Sequence, residues 1–311
     1  MARHPPRFPR ALFFDLDGTL LAPGAILRHS TAEAVWAAAE RGALIVLATG
    51  GFSQRTHLIQ QALGTRAPGA VWAITHNGAA VWAPDGRPVR LLATPREAVE
   101  AVLGVAGRRV WATFETAGAD GHTAVYYAGR MRPELVPLLW GPQAPTDDVP
   151  EEGLRVGLEP RWDWRRARSP RLLASGAILG CWCVGTPAAL APLDANAVGG
   201  VLLGARYLPW GLRLGQITGM RRLRIVGRDV GPREASKGAA AAWLCEHLGI
   251  DPAATAAFGD GDNDLELLQF AGLAVGMANG TPAARACADL IAPPNDEDGV
   301  GQVLRQWLDA L

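Results

Sequence analysis

Near its N-terminus the chain carries a short, wholly apolar run, "ALFF" at Ala11 to Phe14, which stops at a polar loop. Apolar positions at helical spacing follow, and the succession then repeats. "ALIVLAT", Ala43 to Thr49, is apolar without interruption, the pattern of a strand buried on both faces of a parallel sheet. Between these runs Ser30 and Glu33 form a capping-box pattern ahead of "AVWAAAERG", and Gly42 stands at a plausible C′ position. The spacing therefore predicts a helix over 31–41. "SQRTHLIQQAL" predicts a second helix and "AVWAIT" a third strand. Alternation of this kind is what a parallel α/β sheet requires.

The pattern then changes. In "GAAVWAPDGRPVRLL", Asp85-Gly86 separates two alternating segments, which predicts a hairpin instead of a crossover. Thr94-Pro95 with Glu97 predicts a helix start. Short strand-like pieces follow, "RVWATFET", "TAVYYAG", "AILGCWCVG", "VLLGARYL" and "RRLRIVG", joined by Pro- and Gly-rich connections. After residue 231 the parallel pattern resumes, with helices predicted in "KGAAAAWLCEHLGI", "NDLELLQFAG", "TPAARACA" and "VGQVLRQWLDAL" and strands in "TAAFGD" and "LAVGM". The fold class expected is α/β: a parallel-sheet, Rossmann-like core built from residues 1–83 and 231–311, with residues 84–230 inserted as a second, α+β domain.

Composition narrows the function. Lys plus Arg and Asp plus Glu balance at 30 each, so no whole-chain field draws the protein to nucleic acid or to an anionic membrane. The four cysteines match no metal-site or disulfide spacing, and no apolar stretch has spanning length; a soluble, cytoplasmic protein is expected. Lys237 is the only lysine among those 30 basic residues. In a chain that otherwise uses arginine, it marks a place where a compact ammonium is needed and a guanidinium fork does not fit.

Polar loops close the predicted strands, and in an open parallel sheet such loops converge on one crevice. Asp15 and Asp17 follow the first strand; two residues apart in extended chain they share a side, and like charges so close call for a cation. An Asx-type turn is the alternative for that loop alone. "GDGDND", Gly259 to Asp264, adds three carboxylates and an amide where a helix cap, Asp262 or Asn263, needs one acceptor. Asp15, Asp17 and Asp260 together make an all-oxygen site suited to Mg²⁺. Lys237, at a helix start, supplies the opposite charge. Thr49 with Gly50 offers a hydroxyl and an amide for a phosphate oxygen, whereas Asn77-Gly78 is explained by a hairpin turn.

"DLDGTL" at Asp15, "ATG" at Ala48 to Gly50, "THNGA" at Thr75 to Ala79, "SKG" at Ser236 to Gly238 and "GDGDND" at Gly259 to Asp264 together resemble the haloacid dehalogenase superfamily of phosphohydrolases. The resemblance is closest to its Cof-like branch, which carries a large α/β (type C2B) cap for substrate specificity. It implies a Mg²⁺-dependent phosphatase acting on small phosphate monoesters, sugar phosphates foremost, through an aspartyl-phosphate. Asp15 would be the nucleophile and Asp17 the general acid and base, with its backbone carbonyl on the metal. Asp15 and Asp260 would bind Mg²⁺. Leu16 through its amide, with Thr49, Gly50, Lys237 and Asn263, would hold the phosphoryl group. Asp264 would orient water or Lys237. A phosphomutase of the phosphomannomutase kind, or a catalytically silent phosphoester-binding protein, are the alternatives on the same fold. The expected partner is a small phosphorylated metabolite, with neither nucleic acid nor membrane.

Two features depart from that pattern. The family commonly carries Arg after Thr-Gly, where this chain has Gly51; Arg55, one helical turn on, is the candidate substitute. "EPRWDWRRARSPR", residues 159–171, interleaves Trp with Arg and is expected to be a solvated loop with Arg stems over Trp rings, the alternative being a stacking surface.

Overall fold

The computed structural model describes residues 7–129, 153–155, 164–167, 176–203, 205–211 and 226–310. The chain divides into two compact units. One takes in Met1–Arg90, Gly141–Leu158 and Ser236–Leu311, the other Leu91–Trp140 and Glu159–Ala235.

The first unit is an α/β layer structure on an eight-stranded sheet. From one edge, its order is Leu290–Ala292, Leu273–Met277, Thr255–Gly259, Ala11–Phe14, Leu44–Ala48, Val71–Thr75, Ala80–Trp82 and Pro88–Leu91. The first six are parallel to their neighbours, and the seventh turns back antiparallel on Val71–Thr75. Ala11–Phe14 lies in the middle, fully buried, because helices cover both faces and an uninterrupted apolar strand has no exposed side to make polar. Phe13 packs with Val46, Ile74, Ala257 and Leu244. Phe14 stacks on Phe258 at 5.0 Å, and Phe258 meets Trp307 of the C-terminal helix. The chain leaves the central strand toward Leu44–Ala48 on one side and returns through Thr255–Gly259 on the other. The strand order thus reverses at Ala11–Phe14, and its carboxyl end opens at the switch point.

Helix boundaries follow the predicted pattern with one change of mechanism. The first helix is His29–Glu40, its N-cap is Arg28, and no side chain caps it. Ser30 lies inside the helix, so the capping box expected at Ser30 and Glu33 does not form; Glu33 pairs with Arg66 at 2.6 Å instead. Gly42 does take the left-handed conformation expected of a C′ residue, with φ 86°. The strand Gly153–Arg155, from the predicted middle region, pairs antiparallel with Ile26–Arg28 and belongs to the first unit.

The second unit holds an eight-stranded sheet, antiparallel except where Trp164–Arg166 runs parallel to Thr123–Ala128. Helices Arg96–Val105 and Pro187–Asn196 supply Val99, Val102, Leu190 and Leu193 to a core shared with Phe114, Cys181 and Cys183. "VLLGARYL" is two strands and not one, Val201–Leu202 and Ala205–Gly211, with Leu203 at φ 45° between them. Most of the Arg/Trp segment 159–171 lies outside the described residues, as does the start of "RRLRIVG". The cysteines are free, and no helix among the described residues is long and apolar enough to cross a membrane.

Candidate functional site

The site is assembled at the carboxyl end of Ala11–Phe14, where the backbone turns as soon as it leaves the sheet. Leu16 accepts hydrogen bonds from the Thr19 and Leu21 amides and Asp15 from the Leu20 amide, so the strand geometry ends at Asp15. The two aspartates differ in burial and in partner. Asp15 is 6 % exposed and faces Lys237. Asp17 has 58 % of its side chain exposed and is clamped by Arg55, whose Nη1 and Nη2 donate to Asp17 Oδ2 and Oδ1 at 2.7 and 2.6 Å.

Lys237 is the first residue of a twelve-residue helix whose N-cap, Ser236, accepts from the Ala239 amide. Its side chain has no exposed surface, and Nζ donates to Asp15 Oδ1 and Asp264 Oδ1, both at 2.5 Å. Burial alone would lower the lysine pKa; the charges of Asp15 and Asp264 and the hydrogen bonds to them outweigh it and raise it, so the ammonium is permanent. Gly78 brings the neighbouring loop against this helix start, since a Cβ there would lie 2.1 Å from the Ser236 carbonyl oxygen.

The acidic loop is organised by Asp264, which is fully buried. Its Oδ2 accepts from the backbone amides of Asp260 and Gly261 at 3.1 and 2.8 Å. The acceptor for this turn is thus Asp264, and neither Asp262 nor Asn263 serves as the cap. Asp262 accepts from Thr281, and Asn263 donates to Asn77. Asp260 accepts from Thr19 Oγ1 at 3.2 Å and fills space that a Cβ on Gly18 would take, 2.4 Å from its Oδ2. With φ at 92°, Gly18 is a glycine for both reasons.

Thr49 is buried, and its Oγ1 accepts from the Gly51 amide at 2.9 Å, which leaves its own proton for donation. Gly50 lies under the Asn77 amide, and the Asn77 backbone N–H donates to Thr49 O. Burial pushes the His76 ring, next in the chain, down to about 3, so it stays neutral at physiological pH.

Asp15, Asp260 and Asp264 each place a carboxylate oxygen within 4.8 Å of the others. One ammonium faces these three carboxylates. Burial first, and the neighbouring Asp264 charge second, push the Asp15 carboxyl well above the ordinary range and raise Asp260 in the same way. A hard divalent cation among these oxygens removes that repulsion, and an all-carboxylate donor set is the chemistry such a cation takes. The residues present fit it. Arg55 and Asn77 are the residues whose place in the site residue spacing does not settle; both act on partners far along the chain.

A family model described as haloacid dehalogenase-like hydrolase matches residues 12–110 and 225–304. Among curated proteins, the chain is similar to a phosphoglycolate phosphatase of Methanopyrus kandleri, 42 % identical over 79 residues. That match is 25 % of this chain and 34 % of the relative. The first curated relatives are matched over only 14 %, 34 % and 30 % of their own lengths. Among solved structures, a haloacid dehalogenase-like hydrolase from Bacteroides thetaiotaomicron superposes with a TM-score of 0.70 at 20 % identity, over 96 % of this chain and 99 % of that one. A subclass IIB sugar phosphatase of the same superfamily gives 0.66 at 20 % identity, over 96 % and 98 %. At such identities the structural likeness speaks for the fold.

Proposed function

The chain belongs to the haloacid dehalogenase-like hydrolases, and from that premise we propose that it is a Mg²⁺-dependent phosphatase of small phosphate monoesters, sugar phosphates foremost. The observation that carries this reading is the buried Asp15–Lys237–Asp264 arrangement beside Asp260, with a separate, exposed carboxylate at Asp17. It is supported by the names of similar proteins, a phosphoglycolate phosphatase and a sugar phosphatase.

In this reading Asp15 attacks phosphorus with Oδ2, the oxygen that Lys237 does not hold, and the bond from phosphorus to the ester oxygen breaks. Asp17, once it has taken a proton from solvent and left the Arg55 clamp that holds it as the carboxylate, protonates the departing alkoxide; in the second half the carboxylate so formed takes a proton from the water that attacks the aspartyl-phosphate, and Asp15 is restored as inorganic phosphate leaves. Asp17 suits proton transfer because it is exposed and exchanges protons with solvent, and Arg55 orients its carboxylate form. Asp15 suits attack because it is buried and held. Lys237, Thr49, Asn263 and the Leu16 and Gly50 amides stabilise the phosphoryl oxygens as charge develops. Asp15, Asp260 and the Asp17 carbonyl would hold a divalent cation, which would supply the remaining neutralisation for a carboxylate to approach a phosphate dianion. The second unit, Leu91–Trp140 and Glu159–Ala235, is assigned to substrate selection.

Two results are expected. In metal-free protein, Mg²⁺ at about 100 times its dissociation constant raises the thermal midpoint by about 5 °C, and Asp260→Asn abolishes the shift. Calorimetry in chelator and in Mg²⁺ measures this, and an unchanged midpoint argues against the metal. Arg55→Met lowers kcat about tenfold and leaves KM within about twofold, because it disorders the Asp17 carboxylate that accepts the proton of the attacking water. A raised KM at unchanged kcat would put Arg55 on the substrate instead.

A further inference from the structure

A hairpin turn accounts for the backbone at Asn77-Gly78 but not for what the Asn77 side chain does. Such a turn asks only for residues that tolerate positive φ, and glycine would serve. Here three successive residues, His76, Asn77 and Gly78, hold φ of 51°, 52° and 99°. Conformations of this kind persist where their surroundings fix them. The His76 amide donates to Gly51 O at 3.2 Å and the Asn77 amide to Thr49 O at 3.0 Å, so the turn is tied to the Thr49–Gly51 loop on its backbone side.

The side chain reaches beyond that loop to a second one. Asn77 is 5 % exposed, and its Oδ1 accepts from Nδ2 of Asn263 at 3.0 Å, across 186 residues of sequence. Its amide also lies flat on Gly50, where a Cβ would sit 2.9 Å from both Oδ1 and Nδ2. Asn77 is thus wedged between the loop after one strand and the loop after another. Asn263, by contrast, is exposed, and an exposed amide can turn either end toward a ligand. The two ends are opposite in effect on a phosphate: the NH₂ donates to it, and the carbonyl repels it.

We infer that Asn77 is a positioning residue that fixes the Asn263 amide with its nitrogen end toward the phosphoryl oxygens. One N–H of Asn263 is spent on Asn77, and the second is thereby held as a donor. The inference rests on the phosphatase reading and adds to it a residue of the loop after Val71–Thr75. It also explains why position 50 is glycine, since any side chain there displaces the Asn77 amide.

A double-mutant cycle tests it, read by turnover of p-nitrophenyl phosphate and by calorimetric binding of inorganic phosphate. Asn77→Gly keeps the left-handed turn and removes the amide. It is expected to lower kcat/KM about tenfold and to weaken phosphate binding severalfold, in protein that still unfolds cooperatively above the assay temperature. Asn263→Ala should do the same, and the double variant should match Asn263→Ala within about twofold, because both changes remove one interaction. Losses that multiply, or an Asn77→Gly protein with wild-type turnover and phosphate affinity, would overturn the inference. If Asn77→Gly does not fold, Asn77→Ser, too short to reach Asn263, enters the same cycle. A wild type that binds phosphate without turnover sinks the phosphatase reading alone, since the binding arm still decides the role of Asn77. A wild type that does neither sinks both.

Discussion

Asp15→Asn is expected to reduce phosphate release by about 10⁴-fold or more, because an amide oxygen is too weak a nucleophile to displace an alkoxide from phosphorus. The same variant should unfold at the wild-type temperature or above it when no divalent cation is present. Asp15 is buried beside Asp260 and Asp264, and its carboxyl is pushed well above the ordinary range, first by burial and then by Asp264. A group whose charge is so disfavoured in the folded state costs stability at neutral pH, and its neutral isostere removes that cost. Loss of activity with retained or increased stability is the signature of a residue kept for chemistry. Steady-state kinetics beside a melting curve measure both, and a variant that is active, or inactive because it is unfolded, would contradict the assignment.

Lys237→Met should act in the opposite sense on stability. The methionine keeps most of the side-chain volume, so the effect is one of charge: Asp15 and Asp264, both buried, lose the ammonium that each meets at 2.5 Å. Breaking a buried pair by removing one partner costs about 3–5 kcal/mol, because the remaining charge stays buried without compensation. Urea unfolding followed by fluorescence should show that loss. Adding Asp264→Asn to the same chain should recover part of it by removing one of the two stranded carboxylates. A Lys237→Met protein as stable as the wild type would mean that the ammonium does not balance these charges.

Much of this site is legible in the amino-acid sequence, for reasons that differ residue by residue. The central strand declares itself because burial on both faces leaves no polar position in "ALFF". Lys237 stands out through composition, a single lysine among arginines, and its burial between two carboxylates is the physical reason that an ammonium is used. Asp264 is legible as a supporting acid, since a turn that dense in carboxylates has more acceptors than a cap needs. The different burial and partners of Asp15 and Asp17 are not legible. Period-two reasoning holds only while the backbone stays extended, and here it turns at Leu16. The capping box at Ser30 fails because the helix begins two residues earlier than that cap requires, at His29 with Arg28 as N-cap. Asn77 is hidden for a different reason: an Asn-Gly pair satisfies a local rule completely, and its contact with Asn263 depends on two loops brought together only by the sheet. Arg55 pairs with Asp17 across 38 residues and lies between these cases, visible as a basic residue near the second strand but given its partner only by the fold.

The measurement that bears most directly on the account is release of inorganic phosphate from a panel of sugar phosphates, nucleotides, flavin phosphate and pyridoxal phosphate, with Mg²⁺ and with chelator. The account predicts release from at least one class of monoester in Mg²⁺, none in chelator, and none from Asp15→Asn under either condition. Release that survives the chelator or the substitution, or no release from any ester by the wild type, would contradict it.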